Sequence, residues 1–397
     1  MKKKICIFCS LTSFNTGMPV STYKLAAGLV GTGRYDVSAV LPGDGELVER
    51  MRRAGVDVCV IPFRRLRANP LSMLMFMFTW VTAGLRLRRF VRGRGVDIVH
   101  FSDLIDAPFY PWARVAGAKV VAHVRVCAGG PLAGLLFRIW TDLFCSRIVT
   151  ISKFVRRYYR FGRRAVVVYN PGPDRKVFDP GAYPRKTTVA KGSVPAAPAV
   201  IMVASFRRDK GHHNFLEIAA RIRERAGDKV RFVIVGGEVK GHEGYYEEMM
   251  DRVHVLGLEG CLTVTGNLPH ESVPIVMAGA SVLLHVPDWE EALGGVILEA
   301  MAMSVAVVAY GCGGVGECFT DGGSGYLVRR GDFGAAADRV VSLLESPVLM
   351  KKTVTEACRA LDAKFTMDKY IAGIERVYGY GPEDAAPMDS LKKIRGR

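Results

Sequence analysis

The stretch SVLLHVPDWEEALGGVILEAMAMSVAVVAY, residues 281–310, reads as a strand, a helix and a second strand. Its ends, SVLLHV and VAVVAY, are short aliphatic runs without polar alternation. Such strands are buried on both faces, and a helix between two of them supplies the crossover that parallel pairing requires. The middle is less comfortable. Glu299 stands in VILEAMAM, with Val296, Ile297 and Leu298 before it and Ala300, Met301, Ala302 and Met303 after it. A helix apolar all round is expected to be buried, and a buried carboxylate without a partner is expensive. Gly294 and Gly295 fall at the turn from strand to helix. Small residues there let a ligand reach the free N–H groups of the first turn, which favour phosphate. Glu291 projects from the preceding loop, and Glu299 is placed to accept hydrogen bonds from the same ligand, as from the vicinal hydroxyls of a ribose. The plainer alternative is a capping acid and a buried acid paired to an arginine elsewhere.

The same alternation runs through the whole chain. KICIFC, DVSAVL, DVCVI, DIVHF, KVVAHV, RIVTI and AVVVY are strand candidates in the first half. AVIMVAS, RFVIVGG, LTVTG, SVLLHV and VAVVAY follow in the second. Apolar strands separated by amphipathic segments indicate α/β architecture with parallel sheets covered on both faces. The run DPGAYPRKTTVAKGSVPAAPA lacks periodicity and reads as a linker. The expected organisation is a domain over 1–180, a linker over 181–197, a second domain over 198–362, a helix over 363–380 and a polar tail over 381–397. Both domains are expected to be doubly wound and to face each other across a cleft, with ligands beyond the carboxyl ends of the strands.

With 397 residues, 49% of them hydrophobic, and a mean hydropathy of +0.16, the chain can build two cores. The apolar run in MKKKICIFCSLTS is short and no small-residue cleavage site follows, so no signal peptide is read there. Nine scattered cysteines suggest no disulfide framework; Cys6 and Cys9 lie within an apolar strand and read as core thiols of a reducing cytosol. Charge is unevenly spread. Residues 1–190 carry 31 Lys and Arg against 11 Asp and Glu, a net +20, whereas the remainder carries 24 against 27, a net −3. The first half is therefore expected to meet something anionic. Missing RNA-module signatures argue against nucleic acid as a partner. Leu71–Leu85 contains no charge and is bracketed by Arg64, Arg65, Arg67, Arg86, Arg88, Arg89, Arg92 and Arg94. It is too short to span a bilayer, and reads either as a core helix or as one lying on lipid.

Further candidates occur where strands end. In VASFRRDKGHHNFLEIA, Arg207, Arg208 and Lys210 follow the first strand of the second half, and two cations with a helix N-terminus suit a diphosphate. His212 and His213 read as surface residues of a helix start. Asn15, Thr16 and Gly17 form a short polar loop after the first strand, but not a GxGxxG. His123 and Arg125 end another strand in VVAHVRVCAGG, where either could face a ligand or belong to the core.

These motifs together resemble the family 4 retaining glycosyltransferases. Glu291 and Glu299, with ALGGVIL between them, match that family's E-x7-E motif. VASFRRDKG, RIVTISKFVRRYY, VVVYNPGPDRKVFDP, VDIVHF and NTGMPVSTYKLAAGLV match it in the same order. The resemblance implies a GT-B fold of two Rossmann-like domains, the C-terminal helix returning to the first. It implies a nucleotide-diphosphate sugar as co-substrate, held mainly by the second domain, with no cofactor or metal. Glu299 is then the ribose ligand and Glu291 contacts the transferred sugar. Gly294, Gly295 and Val296 offer N–H groups, Lys210 holds the diphosphate, and Gly17 approaches donor phosphate or acceptor. Ser205 stands where the family often has an arginine, which makes Arg207 the nearby substitute. The family's usual histidine falls near Arg125, so both His123 and Arg125 are catalytic candidates. The expected acceptor is a saccharide or a lipid-linked glycan of cell-envelope glycolipid or polysaccharide synthesis. The expected location is the cytoplasm, peripheral on an anionic membrane through the basic first domain. A nucleotide-sugar 2-epimerase, or another GT-B enzyme without transfer, is the alternative reading.

Overall fold

A computed structural model describes residues 2–14, 17–64, 70–127, 130–183, 188–189, 192–193, 198–239 and 241–379. Asn15, Thr16, Arg65, Arg67, most of the expected linker and the 381–397 tail lie outside the described residues. The chain forms two units. One comprises the chain up to Pro171 and from Met367 onward, and the other comprises Gly172–Thr366.

The first unit is built on seven strands, β1 (Lys3–Phe8), β2 (Tyr35–Leu41), β3 (Asp57–Val60), β4 (Ile98–Phe101), β5 (Lys119–Val124), β6 (Arg147–Thr150) and β7 (Ala165–Val167). Their order is β3-β2-β1-β4-β5-β6-β7, and every pair is parallel. Beyond their first residues the central strands are mainly apolar and buried because helices cover both faces, as Ile5, Ile7, Ile98, Val121 and Val149 show by full or near-full burial. Cys6 and Cys9 are buried free thiols whose pKa burial pushes up to about 12.

The C-terminal helix Met367–Tyr378 packs on this first unit. Gly28 and Gly373 let it approach closely, since a Cβ on either would meet Ile371 or Val168 at 2.6 and 2.8 Å. Glu375 is buried on it, accepting from the Tyr35 hydroxyl at 2.9 Å and from Arg34 at 2.7 Å. The uncharged run 71–85 lies in one helix, Pro70–Arg94. Phe76, Ala83, Leu87 and Val91 face the core, whereas Met77, Phe78, Val81 and Leu85 are exposed, so one stripe packs and another meets solvent.

After a short antiparallel hairpin, β8 (Thr188–Val189) with β9 (Gly192–Ser193), the second unit repeats the design. Its strands are β10 (Ala199–Val203), β11 (Arg231–Val235), β12 (Leu262–Val264), β13 (Val282–His285), β14 (Ala306–Tyr310) and β15 (Tyr326–Val328). Their order is β12-β11-β10-β13-β14-β15, again all parallel. Of the strands in this larger sheet β15 alone escaped the sequence reading, and β8 and β9 fell in the stretch read as a linker.

Candidate active site at the switch point of the second sheet

In the second sheet the chain winds outward from β10 in one direction and from β13 in the other. At such a switch point the loops after the two strands diverge and leave a crevice at the carboxyl edge. Those loops are residues 204–211 and 286–294, and they carry Arg207, Lys210, Glu291 and Gly294. The loops are tied together. Asp288 N donates to Asp209 O at 3.1 Å, and the Asn214 amide donates to Val286 O and to Asp288 at 3.0 and 2.8 Å. Gly211, at φ +76°, sits where a Cβ would lie 1.9 Å from Val286 O, so only glycine allows this approach.

Lys210 Nζ donates to Glu291 Oε1 at 2.6 Å across the two loops. Burial raises the Glu291 pKa, but the Lys210 charge and hydrogen bond, with Arg207, outweigh it and hold the carboxyl below its ordinary value. Glu291 is therefore an ionised acceptor at neutral pH. Its backbone is fixed by Gly314 N, which donates to Glu291 O at 2.7 Å, and by Gly313, whose φ of +58° brings it against the same carbonyl. His285 ends β13 within electrostatic reach of this pair; burial pushes its pKa down to about 4, so the ring is neutral. Arg207 is half exposed and makes a two-pronged contact with Asp209 at 2.8 and 2.9 Å. Ser205 is half-buried at the start of the same loop.

The helix Gly295–Ala302 begins at Gly294, whose φ of +94° suits glycine. Gly295 is exposed and a Cβ there would meet nothing within 4 Å, so the first turn, with Val296, is open to a ligand. One expectation needs correcting. The helix is buried, but Glu299 itself is only half-buried, and its partner is His270 Nε2 at 3.0 Å rather than an arginine. The His270 ring in turn lies 5.4 Å from that of Phe178. His212 is a second correction. It is fully buried against Phe206 and Tyr245, with its pKa pushed down to about 4 by burial, whereas His213 is exposed and paired with Asp288. The helix starts against the core because Gly211, left-handed at its N-cap, packs directly on Val286 O.

His123 and Arg125 belong to the first unit and are both buried. Arg125 donates to Ser102 O at 2.9 Å, to Asn170 Oδ1 at 2.7 Å and to His123 Nδ1 at 3.1 Å. His100 Nε2 is also 3.1 Å from His123 Nδ1, and the Tyr378 hydroxyl is 2.8 Å from His100 Nδ1. One proton arrangement satisfies these contacts: Tyr378 donates to His100, and His100 and Arg125 both donate to His123. Both imidazoles are then neutral, as burial and the Arg125 charge require, His100 falling to about 3. Gly17 opens the helix Gly17–Gly31 and is exposed. At the switch point of the first sheet, where β1 meets β4, sequence reading missed two buried acids. Asp106 accepts from the backbone N–H groups of Ser10, Ser102 and Asp103, each at 3.1 Å, and from the Ser10 hydroxyl. Burial pushes Asp106 up to about 7 and Asp103 to about 6. FSDLID gives no periodic signal for them.

The second-sheet site thus offers a lysine, an arginine, an open helix N-terminus and two carboxylates, a set able to bind a charged phosphate and sugar hydroxyls together. A family model described as "Glycosyl transferase 4-like domain" matches residues 16–171, and one described as "Glycosyl transferases group 1" matches residues 186–359. With two Rossmann-like units carrying them in this order, the chain belongs to the glycosyltransferases of GT-B fold. Among individual relatives, it is 28% identical to the 2-deoxystreptamine N-acetyl-D-glucosaminyltransferase of Streptomyces fradiae, over 90% of each chain. It is 29% identical to the GDP-mannose-dependent alpha-(1-6)-phosphatidylinositol monomannoside mannosyltransferase of Mycolicibacterium smegmatis, over 77% of this chain and 79% of that one. The crystal structure of Anabaena HepE in complex with UDP and glucose shares the fold, with a TM-score of 0.77 at 18% identity, covering 95% of this chain and 99% of that one.

Proposed function

We propose that this glycosyltransferase is a retaining enzyme that moves a hexosyl group from a nucleoside-diphosphate sugar to an acceptor hydroxyl. The observation that carries the reading is the Lys210–Glu291 pair at the switch point, followed directly by the open helix start and Glu299. Glu299 accepts hydrogen bonds from the ribose hydroxyls, with His270 holding its carboxylate in place. Lys210 and Arg207 neutralise the diphosphate, and the N–H groups of Gly294, Gly295 and Val296 support it. Negative charge on the diphosphate grows as the glycosidic bond breaks, so these donors bind the transition state more strongly than the ground state. Glu291 accepts from hydroxyls of the transferred sugar. In this reading the cations and helix N-terminus do the work a divalent ion does elsewhere, and no metal or cofactor is needed. His123 and Arg125 form the base of the acceptor side, and Gly17 leaves room for the acceptor or the donor phosphate. A lipid-linked or saccharide acceptor of envelope glycolipid synthesis is supported by the relative named for phosphatidylinositol monomannoside.

The experiment has two stages. A thermal-shift panel of UDP-, GDP- and ADP-sugars identifies the donor, because a ligand that binds only the folded state raises its stability. NMR of the product formed from that donor then reads the anomeric configuration. A product with the configuration of the donor is expected; the opposite anomer would end the retaining assignment.

A further inference from the structure

The helix Pro131–Phe144 carries its apolar stripe on the wrong side for a soluble fold. Leu132, Leu135, Leu136, Ile139 and Leu143 recur at helical spacing, and all are exposed, Leu132 by 70% and Leu143 by 67%. The opposite side does the packing. Gly134 lies against the Tyr159 ring, Phe137 meets Tyr159 and Phe161, and Trp140 Nε1 donates to Ala107 O at 2.9 Å. The neighbouring carbonyl, Pro108 O, accepts from Trp80 Nε1 at 2.8 Å, so the helix Pro70–Arg94 reaches the same turn. That helix exposes Phe78 by 71% on its own outward stripe.

The chain segment that flanks this helix is cationic. Tyr159 and Phe161 pack beneath the helix, and Arg164 Nη1 donates to Asp142 O at 2.9 Å, so the segment 159–164 runs along its flank. Arg157, Arg160 and Arg163 on and beside that segment are exposed. From residue 131 to 164 the chain has eight Lys and Arg and one acid, Asp142. An exposed apolar stripe bordered by arginines matches the anionic head groups and acyl boundary of a phospholipid bilayer. Two copies meeting through this face would set the arginines against each other. No helix among the described residues is long and apolar enough to cross a membrane, so the contact is one of lying on the surface.

We infer that the Pro131–Phe144 helix is the element by which the first unit docks on an anionic bilayer, its leucines entering the interface and Arg157, Arg160 and Arg163 meeting the head groups. The inference goes beyond the catalytic reading and is tested without turnover. The full chain is sedimented with vesicles of phosphatidylglycerol and phosphatidylcholine, and with phosphatidylcholine alone. Binding is expected to the first and to be at least about tenfold weaker to the second. The double variant L136E/I139E, and the milder L136S/I139S, replace exposed side chains, so each is expected to keep the wild-type Tm and to lose at least about tenfold in vesicle binding. The triple variant R157E/R160E/R163E is expected to lose binding as well. Wild-type protein that ignores phosphatidylglycerol vesicles overturns the inference. So do folded leucine variants that bind as wild type, or a concentration-dependent dimer in sedimentation velocity that these variants abolish.

Discussion

Lys210 Nζ and Glu291 Oε1 are 2.6 Å apart although 81 positions separate them in the chain. They meet because β10 and β13 are neighbours in the sheet while the helices that follow diverge. Lys210→Ala is expected to lower kcat by about 10²–10³-fold at saturating donor, the size of effect seen when one preorganised charge-stabilising donor is lost. It also removes the charge that keeps the Glu291 carboxyl ionised, so the acid limb of the pH–rate profile should move to higher pH. A loss confined to KM would show that Lys210 binds donor and transition state equally. Activity abolished by EDTA and restored by Mn²⁺ or Mg²⁺ would replace the lysine mechanism with a metal one.

Glu299→Gln is expected to weaken donor binding by about 1.5–3 kcal/mol, the value of a hydrogen bond to a charged group. Isothermal titration with the donor nucleotide alone measures it, since the ribose is present there. His270→Ala should produce a smaller loss at the same step, because it frees the carboxylate without removing it. Unchanged nucleotide affinity in folded Glu299→Gln would assign the ribose to another residue.

Two glycines separate stability from binding. A methyl at Gly313 would lie 2.0 Å from Glu291 O at a φ of +58°, so Gly313→Ala should lower Tm and displace the Glu291 loop. A methyl at Gly295 would meet nothing within 4 Å of the protein. Gly295→Ala should therefore leave Tm unchanged and raise the donor KM, because the methyl occupies space a phosphate needs. Wild-type KM in Gly295→Ala would remove the helix start from the donor site.

Stability should fall on mild acidification. Burial holds His100 near 3 and His212 and His285 near 4, with His123 well below its ordinary range. With folded pKa values below 6.5, the unfolded chain takes up these four protons first, and stability present above that pH is lost as pH falls. Asp103 and Asp106 act the other way: their raised values, about 6 and 7, make the folded state bind protons first and add stability on acidification. Around pH 5 the difference is about two protons in favour of unfolding, a slope of roughly 3 kcal/mol per pH unit. Thermal melts from pH 6.5 to 5 should show a falling Tm; a rising one would mean the carboxylates dominate.

Much of the architecture was legible because its signals are local. Twelve of the thirteen strands of the two large parallel sheets show as mainly apolar runs, since a strand buried on both faces has few polar positions to spare. Glu291, Gly294, Gly295 and Glu299 were legible for the same reason: they interrupt one short segment whose surroundings are otherwise apolar. What sequence could not give is pairing at a distance. That Glu299 meets His270 depends on where the loop after β12 comes to rest, and nothing around His270 marks it. The Asp106 cage and the His100–His123–Arg125 chain assemble from β1, β4, β5 and the C-terminal helix, brought together only by sheet order. The helix Pro131–Phe144 makes the limit clearest. Its amphipathic period is plain in PLAGLLFRIWTDLF, and period alone says that one face is apolar. Which face turns to the protein was decided by Tyr159, Phe161 and the Ala107 carbonyl claiming the side with Gly134, Phe137 and Trp140. Packing took the side that offered close approach and a hydrogen bond, and the leucines were left facing out.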